Sequence, residues 1–304
     1  MRNIRLIVAY DGTDFNGWQR QPNAPTIQGC IEMAIAKITG EPVSLYGSGR
    51  TDAGVHALNQ VANFKTECRI PCANLVEALN DFLPLAVRIK QAEEVPQSFH
   101  ARYDVKSKSY RYRILLAPVA SPFVARFVYH YPYPLELKPM AAAARLLEGE
   151  HDFTSFAASG SDEDEKAYRD ARRRAAIGVR DWGFGVREEG NSNLPRIPNP
   201  ETRIPGSSMV RTIFSSRILW RPRTSVLAYQ VKGSGFLHHM VRNIVGTLIE
   251  VGRGKLRPND IPEILAARDR TRAGPTAPAA GLCLMNVEYD DLQPDKREPR
   301  LAGR

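Results

Sequence analysis

Segments patterned for strands alternate with segments patterned for helices along this chain, and the alternation is run twice. Ile4 to Tyr10 alternates apolar, partly β-branched residues and stops at the turn-forming pair Asp11-Gly12. Ile27, Ile31, Ala34, Ile35 and Ile38 then recur at helical spacing, with Thr26 placed to cap the start and Gly40 just past the end. Val43 to Tyr46 and Gln60 to Thr66 read as strands on either side of a glycine-rich loop. Pro71 opens a second helix with Leu75, Val76, Leu79 and Leu83 on one face, and Ala86 to Val95 returns as a strand.

The second pass begins with a strand at Ser109 to Leu116 and a helix at Pro139 to Leu147. A strand pair comes next, at Met209 to Trp220 and Val226 to Lys232. A long helix from Phe236 to Val251, a short one from Pro258 to Arg268 and a last strand from Leu282 to Tyr289 complete it. No residue-level repeat accompanies the layout, yet the same mixture twice predicts two related α+β halves packed together. They divide as residues 1–105 and 106–304, and 304 residues suffice for two cores at roughly 150 residues per domain.

Two stretches fall outside the pattern. Residues 160–208 pass from an acidic run to a basic run and then to Gly, Asn, Pro and Ser, which marks an insertion. Residues 293–304 read as a polar tail.

Charge narrows the partner. The excess of 42 basic over 33 acidic side chains, a net charge of +9, points to a polyanion, because cations that neutralise phosphates release counterions. No segment approaches the roughly 18 apolar residues of a membrane span, so no membrane partner and a cytoplasmic location are expected. The four cysteines, Cys30, Cys68, Cys72 and Cys283, give one Cys-x-x-x-Cys spacing and no second pair, so neither a disulfide framework nor a structural metal is expected.

The densest polar cluster runs from Tyr46 to His56, Tyr-Gly-Ser-Gly-Arg-Thr-Asp-Ala-Gly-Val-His. Its glycines permit close approach, but the Gly-x-x-x-x-Gly-Lys-Ser pattern of a phosphate cradle is absent and Asp52 would repel a phosphate. Arg50 and Asp52, two residues apart, point the same way in an extended turn, so Arg50 or another cation could hold Asp52 ionised. An ionised carboxylate in a cleft is a usable nucleophile, although the local sequence by itself favours a surface turn with an ion pair. On the long helix an apolar stripe leaves His238, His239, Arg242 and Gly246 on the other side. Adjacent histidines on a helix point about 100° apart, and no carboxylate stands four residues from either, so a metal is not expected there. Arg242 suits a carboxylate, a phosphate or plain solvation. In Lys106-Ser-Lys-Ser-Tyr-Arg-Tyr-Arg113, Tyr110 and Tyr112 share one strand face and Arg111 and Arg113 the other. Tyrosine beside cations fits an unstacked base, and also fits core packing.

Seven stretches, in order along the chain, carry a family resemblance. They are Tyr10-Asp-Gly-Thr with Gly17-Trp-Gln-Arg-Gln21, Gly49-Arg-Thr-Asp-Ala-Gly-Val-His-Ala57, Phe99-His-Ala-Arg102, Tyr110-Arg-Tyr112, His151-Asp-Phe-Thr-Ser-Phe156, Gly235 to Ile244 and Ala273-Gly-Pro-Thr-Ala-Pro278. The chain resembles the TruA-type tRNA pseudouridine synthases over nearly its whole length apart from the insertion and the tail. The resemblance implies two similar α+β halves, ferredoxin- or RRM-like, sharing a central antiparallel sheet with helices on one side and a basic cleft between them. It implies a homodimer without metal or organic cofactor that converts uridine to pseudouridine in the tRNA anticodon arm, at positions 38 to 40. Carried onto matching positions, Asp52 is the nucleophile, Tyr110 packs on or deprotonates the target base, Arg242 partners Asp52, and Arg50 is a supporting cation. Arg20, Arg102 and Arg111 are the cations expected on the RNA phosphates.

Overall fold

The computed structural model describes residues 1–158 and 208–290; the insertion, apart from its last residue, and the polar tail lie outside the described residues. Residues 1–157 and those from Val210 onward group as one compact unit, while Ala158–Met209 separate as a second, of which only residues 158, 208 and 209 are described.

The fold is α+β, built on one large, mostly antiparallel sheet. In chain order its first strands are β1 (Arg2–Tyr10), β2 (Tyr46–Gly47), β3 (His56–Thr66), β4 (Val87–Val95) and β5 (Val105–Leu115). Next come β6 (Tyr129–His130), β7 (Gly149–Asp152), β8 (Val210–Arg221), β9 (Val226–Gly233) and β10 (Leu282–Tyr289). The strand order is β4-β1-β3-β10-β5-β9-β8-β7, with β2 attached to β3 and β6 to β5. The last strand therefore sits in the middle. β10 pairs parallel with β3 and antiparallel with β5, so it stitches the strands of the first hundred residues to those of the second half.

Five described helices accompany the sheet: α1 (Ile27–Thr39), α2 (Cys72–Phe82), α3 (Leu137–Arg145), α4 (Met240–Gly252) and α5 (Asp260–Ala267). In α1 the expected caps are in place: Thr26 accepts from the Gly29 amide and Gly40 closes the helix in the left-handed region at φ 76°. Its Ile27, Ile31 and Ile35 are fully buried, each contributing roughly 1.5–3 kcal/mol.

The long helix starts later than its apolar pattern suggests. His239 adopts φ 58°, which no right-handed helix accommodates, so the helix opens at Met240 rather than Phe236. Nor does α4 have a solvated side: nearly every residue from Met240 to Gly252 is buried, including Arg242, Asn243, Gly246 and Thr247. Its polar side is covered by the segment around Ala273–Pro278, where Thr247 Oγ1 accepts the Gly274 amide at 2.8 Å and Asn243 Oδ1 accepts from Thr276 and Arg270.

Candidate active site

The loop between β2 and β3 is held from four directions. The Trp18 amide donates to the Thr51 carbonyl at 3.0 Å, and the Tyr10 hydroxyl shares a 2.8 Å hydrogen bond with Thr51 Oγ1. Gln60 Nε2 donates to the Gly49 carbonyl at 2.9 Å, and Lys108 Nζ donates to the Ser48 carbonyl at 2.8 Å. Close packing explains the first glycine: a Cβ on Gly47 would lie 2.5 Å from Trp18 Nε1. So anchored, the loop delivers Asp52 to a nearly enclosed position with 16% of its side chain exposed.

Asp52 meets its cations from the far end of the chain. Arg242 Nη1 donates to Asp52 Oδ2 at 3.1 Å. His238 Nε2 lies 3.4 Å from Oδ1, and His239 Nε2 lies 3.5 Å from Oδ2. Burial alone would push the Asp52 carboxyl up, but His238, His239 and Arg242 together hold it well below the usual carboxylate range. Arg242 is itself fixed, because its Nε donates to the Ala277 carbonyl at 2.7 Å and its own carbonyl accepts the Ala277 amide at 3.2 Å. The result is a carboxylate that stays ionised while shielded from bulk water.

Tyr110 reaches the same place from β5. It is 9% exposed, its ring stands edge-on to Phe236 at 5.1 Å between centroids, and among the described residues its hydroxyl has no hydrogen-bond partner. Burial and then the Asp52 charge push its phenol well above the ordinary value. The group therefore stays protonated, which suits a ring that packs on a base better than one that removes a proton.

The other sequence expectations fare differently. Arg50 is exposed and donates its Nε–H to Gln19 Oε1 at 3.2 Å, while the segment entering α4 and α4 itself bring His238, His239 and Arg242 to Asp52. Arg111, expected on the RNA phosphates beside Tyr110, points to the opposite face of the sheet, since neighbouring residues of a strand alternate. The histidines are not spread around a helix either. They form the turn before α4, with ring centroids 3.9 Å apart, and both face Asp52.

That convergence changes the metal question. One ligand atom each from Asp52, His238 and His239 lie within 4.8 Å of one another, a grouping with the chemistry to take a divalent ion. The search for a carboxylate four residues from each histidine misses it because the acid comes from a distant loop. The Arg242 guanidinium against Oδ2 opposes this, placing a permanent cation where a metal would need the carboxylate's charge.

Sequence reasoning also passes over Lys108, whose role at the loop is invisible without the fold; its proximity to Tyr110 in the Lys-Ser-Tyr stretch is the one available hint.

Fold and site together define a basic protein with one shielded carboxylate, flanked by a tyrosine ring and fixed cations, at the centre of a mixed sheet. A family model described as tRNA pseudouridine synthase matches residues 6–104 and 200–290. A tRNA pseudouridine synthase A of Solibacter usitatus is 47% identical over 290 residues, 95% of this chain and 100% of that protein. Proteins of the same description from Brevibacillus brevis and Caldicellulosiruptor saccharolyticus are 42% and 41% identical over 289 residues, again 95% of this chain and the whole of each relative. The chain belongs to the tRNA pseudouridine synthase family.

Proposed function

We propose that this protein isomerises uridine to pseudouridine in the anticodon arm of tRNA, at positions 38 to 40, with Asp52 as the nucleophile. The observation that carries the reading is the ionised, water-shielded Asp52 carboxylate fixed by Arg242. The reaction breaks the N1–C1′ bond, turns the uracil in place and joins C5 to C1′; C5 loses a proton and N1 gains one, so no atoms are exchanged with a co-substrate. A single nucleophile inside a site that excludes water suits such a rearrangement, because water would divert the intermediate to hydrolysis. Two carboxylates around a bound water would suit hydrolysis instead.

Tyr110 packs against the target base as a neutral ring, and Arg242 fixes the carboxylate's orientation and charge. Arg50, on the same loop as Asp52, is a supporting cation. The target uridine leaves its stack at a cost of a few kcal/mol, offset by phosphate contacts along the basic protein. The activity needs no metal. We further read the chain as two α+β halves, residues 1–105 and 106–304, acting as a homodimer in the cytoplasm. In support of the soluble part of this, no described helix is long and apolar enough to cross a membrane.

The test uses unmodified tRNA transcript and a carbodiimide adduct that stops reverse transcription at pseudouridine. Stops at positions 38 to 40 are expected with the wild type, and none with Asp52→Asn or Asp52→Ala, both of which retain tRNA binding. Substantial turnover by either variant overturns the nucleophile assignment, and binding without stops by the wild type marks a catalytically silent RNA-binding protein.

A further inference from the structure

The reverse face of the sheet, behind Tyr110, carries a second cationic site. His56, Cys283 and Arg111 stand opposite one another in register across β3, β10 and β5. With Arg113, Arg88 and Phe127 they line a cavity of about 280 Å³. The polar accounting of this cavity is incomplete. His56 is 4% exposed; its Nδ1 lies 3.2 Å from the Gly12 amide nitrogen, and its Nε2 has no partner. The Nε atoms of Arg111 and Arg113 are likewise buried without partners, and among the described residues neither guanidinium makes a hydrogen bond or an ion pair.

Such an arrangement is costly as it stands. Two guanidiniums two residues apart on one strand face repel each other, and their buried Nε atoms are out of reach of water. Burial and then Arg111 pull the Arg113 guanidinium's proton affinity down. The acid lining the cavity, Asp11, is already engaged: His56 Nδ1 lies 3.1 Å from its carboxylate, Arg126 lies 3.4 Å away and Thr13 donates to it. The carbonyls of Leu83, Pro84 and Val87 accept from Arg88 Nη1. Unpartnered cationic donors suit an anion, and the donor set indicates its kind. Two guanidiniums on β5 line the one cavity and together offer more N–H donors than the two oxygens of a planar carboxylate take up, which matches a tetrahedral oxyanion with three or more acceptor oxygens.

We propose that this reverse-face cavity is a phosphate-binding site, in which Arg111 and Arg113 donate to the oxygens of one phosphate group beside His56. The site is separate from Asp52, the sheet lying between the two, and does not depend on the role assigned to that carboxylate. Free phosphate and a backbone phosphate of bound RNA present the same chemistry, and the experiment separates them.

Thermal unfolding of the wild type and of the double variant Arg111→Gln/Arg113→Gln is measured in inorganic phosphate and in chloride at matched ionic strength. A saturable rise of Tm with phosphate is expected in the wild type and is absent from the double variant. In chloride the double variant is at least as stable as the wild type, because two uncompensated charges are gone. Should the double variant fail to fold, Arg113→Gln alone shifts the phosphate midpoint about tenfold upward. An equal phosphate response in wild type and variants, or none in the wild type, overturns the proposal. A double variant that loses a dimer, with no phosphate response in the wild type, also overturns it in favour of a partner subunit's carboxylate. For the source, binding of an anticodon-arm RNA is measured against salt. A weaker affinity with a salt slope reduced by one to two phosphates supports a backbone phosphate. An unchanged RNA affinity with the inorganic phosphate response lost supports the free ion.

Discussion

Arg242 and Asp52 lie 190 residues apart in the chain and 3.1 Å apart in the fold, in a pair that is buried on the arginine side and 16% exposed on the aspartate side. Neither partner reaches the other through local structure. The loop bearing Asp52 is moored to β1, β3 and β5, while Arg242 is moored to Ala277, so the pair measures whether distant elements of the fold are correctly assembled.

Arg242→Ala should lower turnover far more than tRNA affinity, because the lost partner acts on Asp52 rather than on the RNA backbone. Removing one member of a buried pair also costs about 3–5 kcal/mol of stability. In the wild type Asp52 is held ionised well below the usual range, so its contribution to stability is present above the unfolded carboxyl value of about 3.9 and is lost as pH falls through the lower folded value. Without Arg242, burial regains weight and the folded value rises. The acid limb of the pH–rate profile then moves to higher pH; an unmoved limb, or equal losses of binding and turnover, would reduce Arg242 to a phosphate contact.

Tyr110 separates ring from hydroxyl. Tyr110→Phe keeps the edge-on contact with Phe236 and retains most single-turnover activity if the ring packs on the base, whereas Tyr110→Ala loses activity and about 3–5 kcal/mol of stability. Single-turnover rates and denaturant midpoints read both effects. A Phe variant as inactive as the Ala variant would assign the chemistry to the hydroxyl.

Gly246 is where α4 and the Ala273–Pro278 segment touch. A Cβ there would fall 1.6 Å from the Pro275 carbonyl oxygen, so Gly246→Ala must displace the segment that holds Arg242. A lower melting temperature and a fall in turnover larger than the fall in tRNA affinity are expected. A variant of wild-type stability and rate would show that the segment shifts without disturbing Arg242.

Lys108 gives a pH signature of its own. Burial, and then Arg102 and Arg211, pull its ammonium down from 10.5 to about 8. The folded state then binds fewer protons than the unfolded state between those values, so this residue makes stability rise with pH across that window. Denaturant unfolding at pH 7.5 and 9.5 should show a larger gain for the wild type than for Lys108→Met; identical gains would place the lysine in solvent.

Much of the fold was legible in the sequence. The last strand, Leu282–Tyr289, matches its expected bounds, and α1 was bounded by Thr26 and Gly40 because caps act within one turn of the chain. The apolar pattern runs back through Leu237, ahead of the actual start of α4, because the backbone turns left-handed at His239 for a reason no periodicity contains. The separation of Tyr110 from Arg111 follows from strand alternation alone, although which face would be the cleft does not.

Periodicity, capping and seven ordered motifs thus determined the α+β class, the family, and the identity of Asp52, Tyr110 and Arg242 as the residues of interest, since each depends on neighbours in the chain. Tertiary structure alone decided what surrounds the acid: His238 and His239 beside Arg242, Lys108 under the loop, and Arg50 at the rim. The physical reason is that ionisation and burial are set by charges a few ångströms away in space, and in this sheet those charges arrive on strands and helices that the sequence holds far apart.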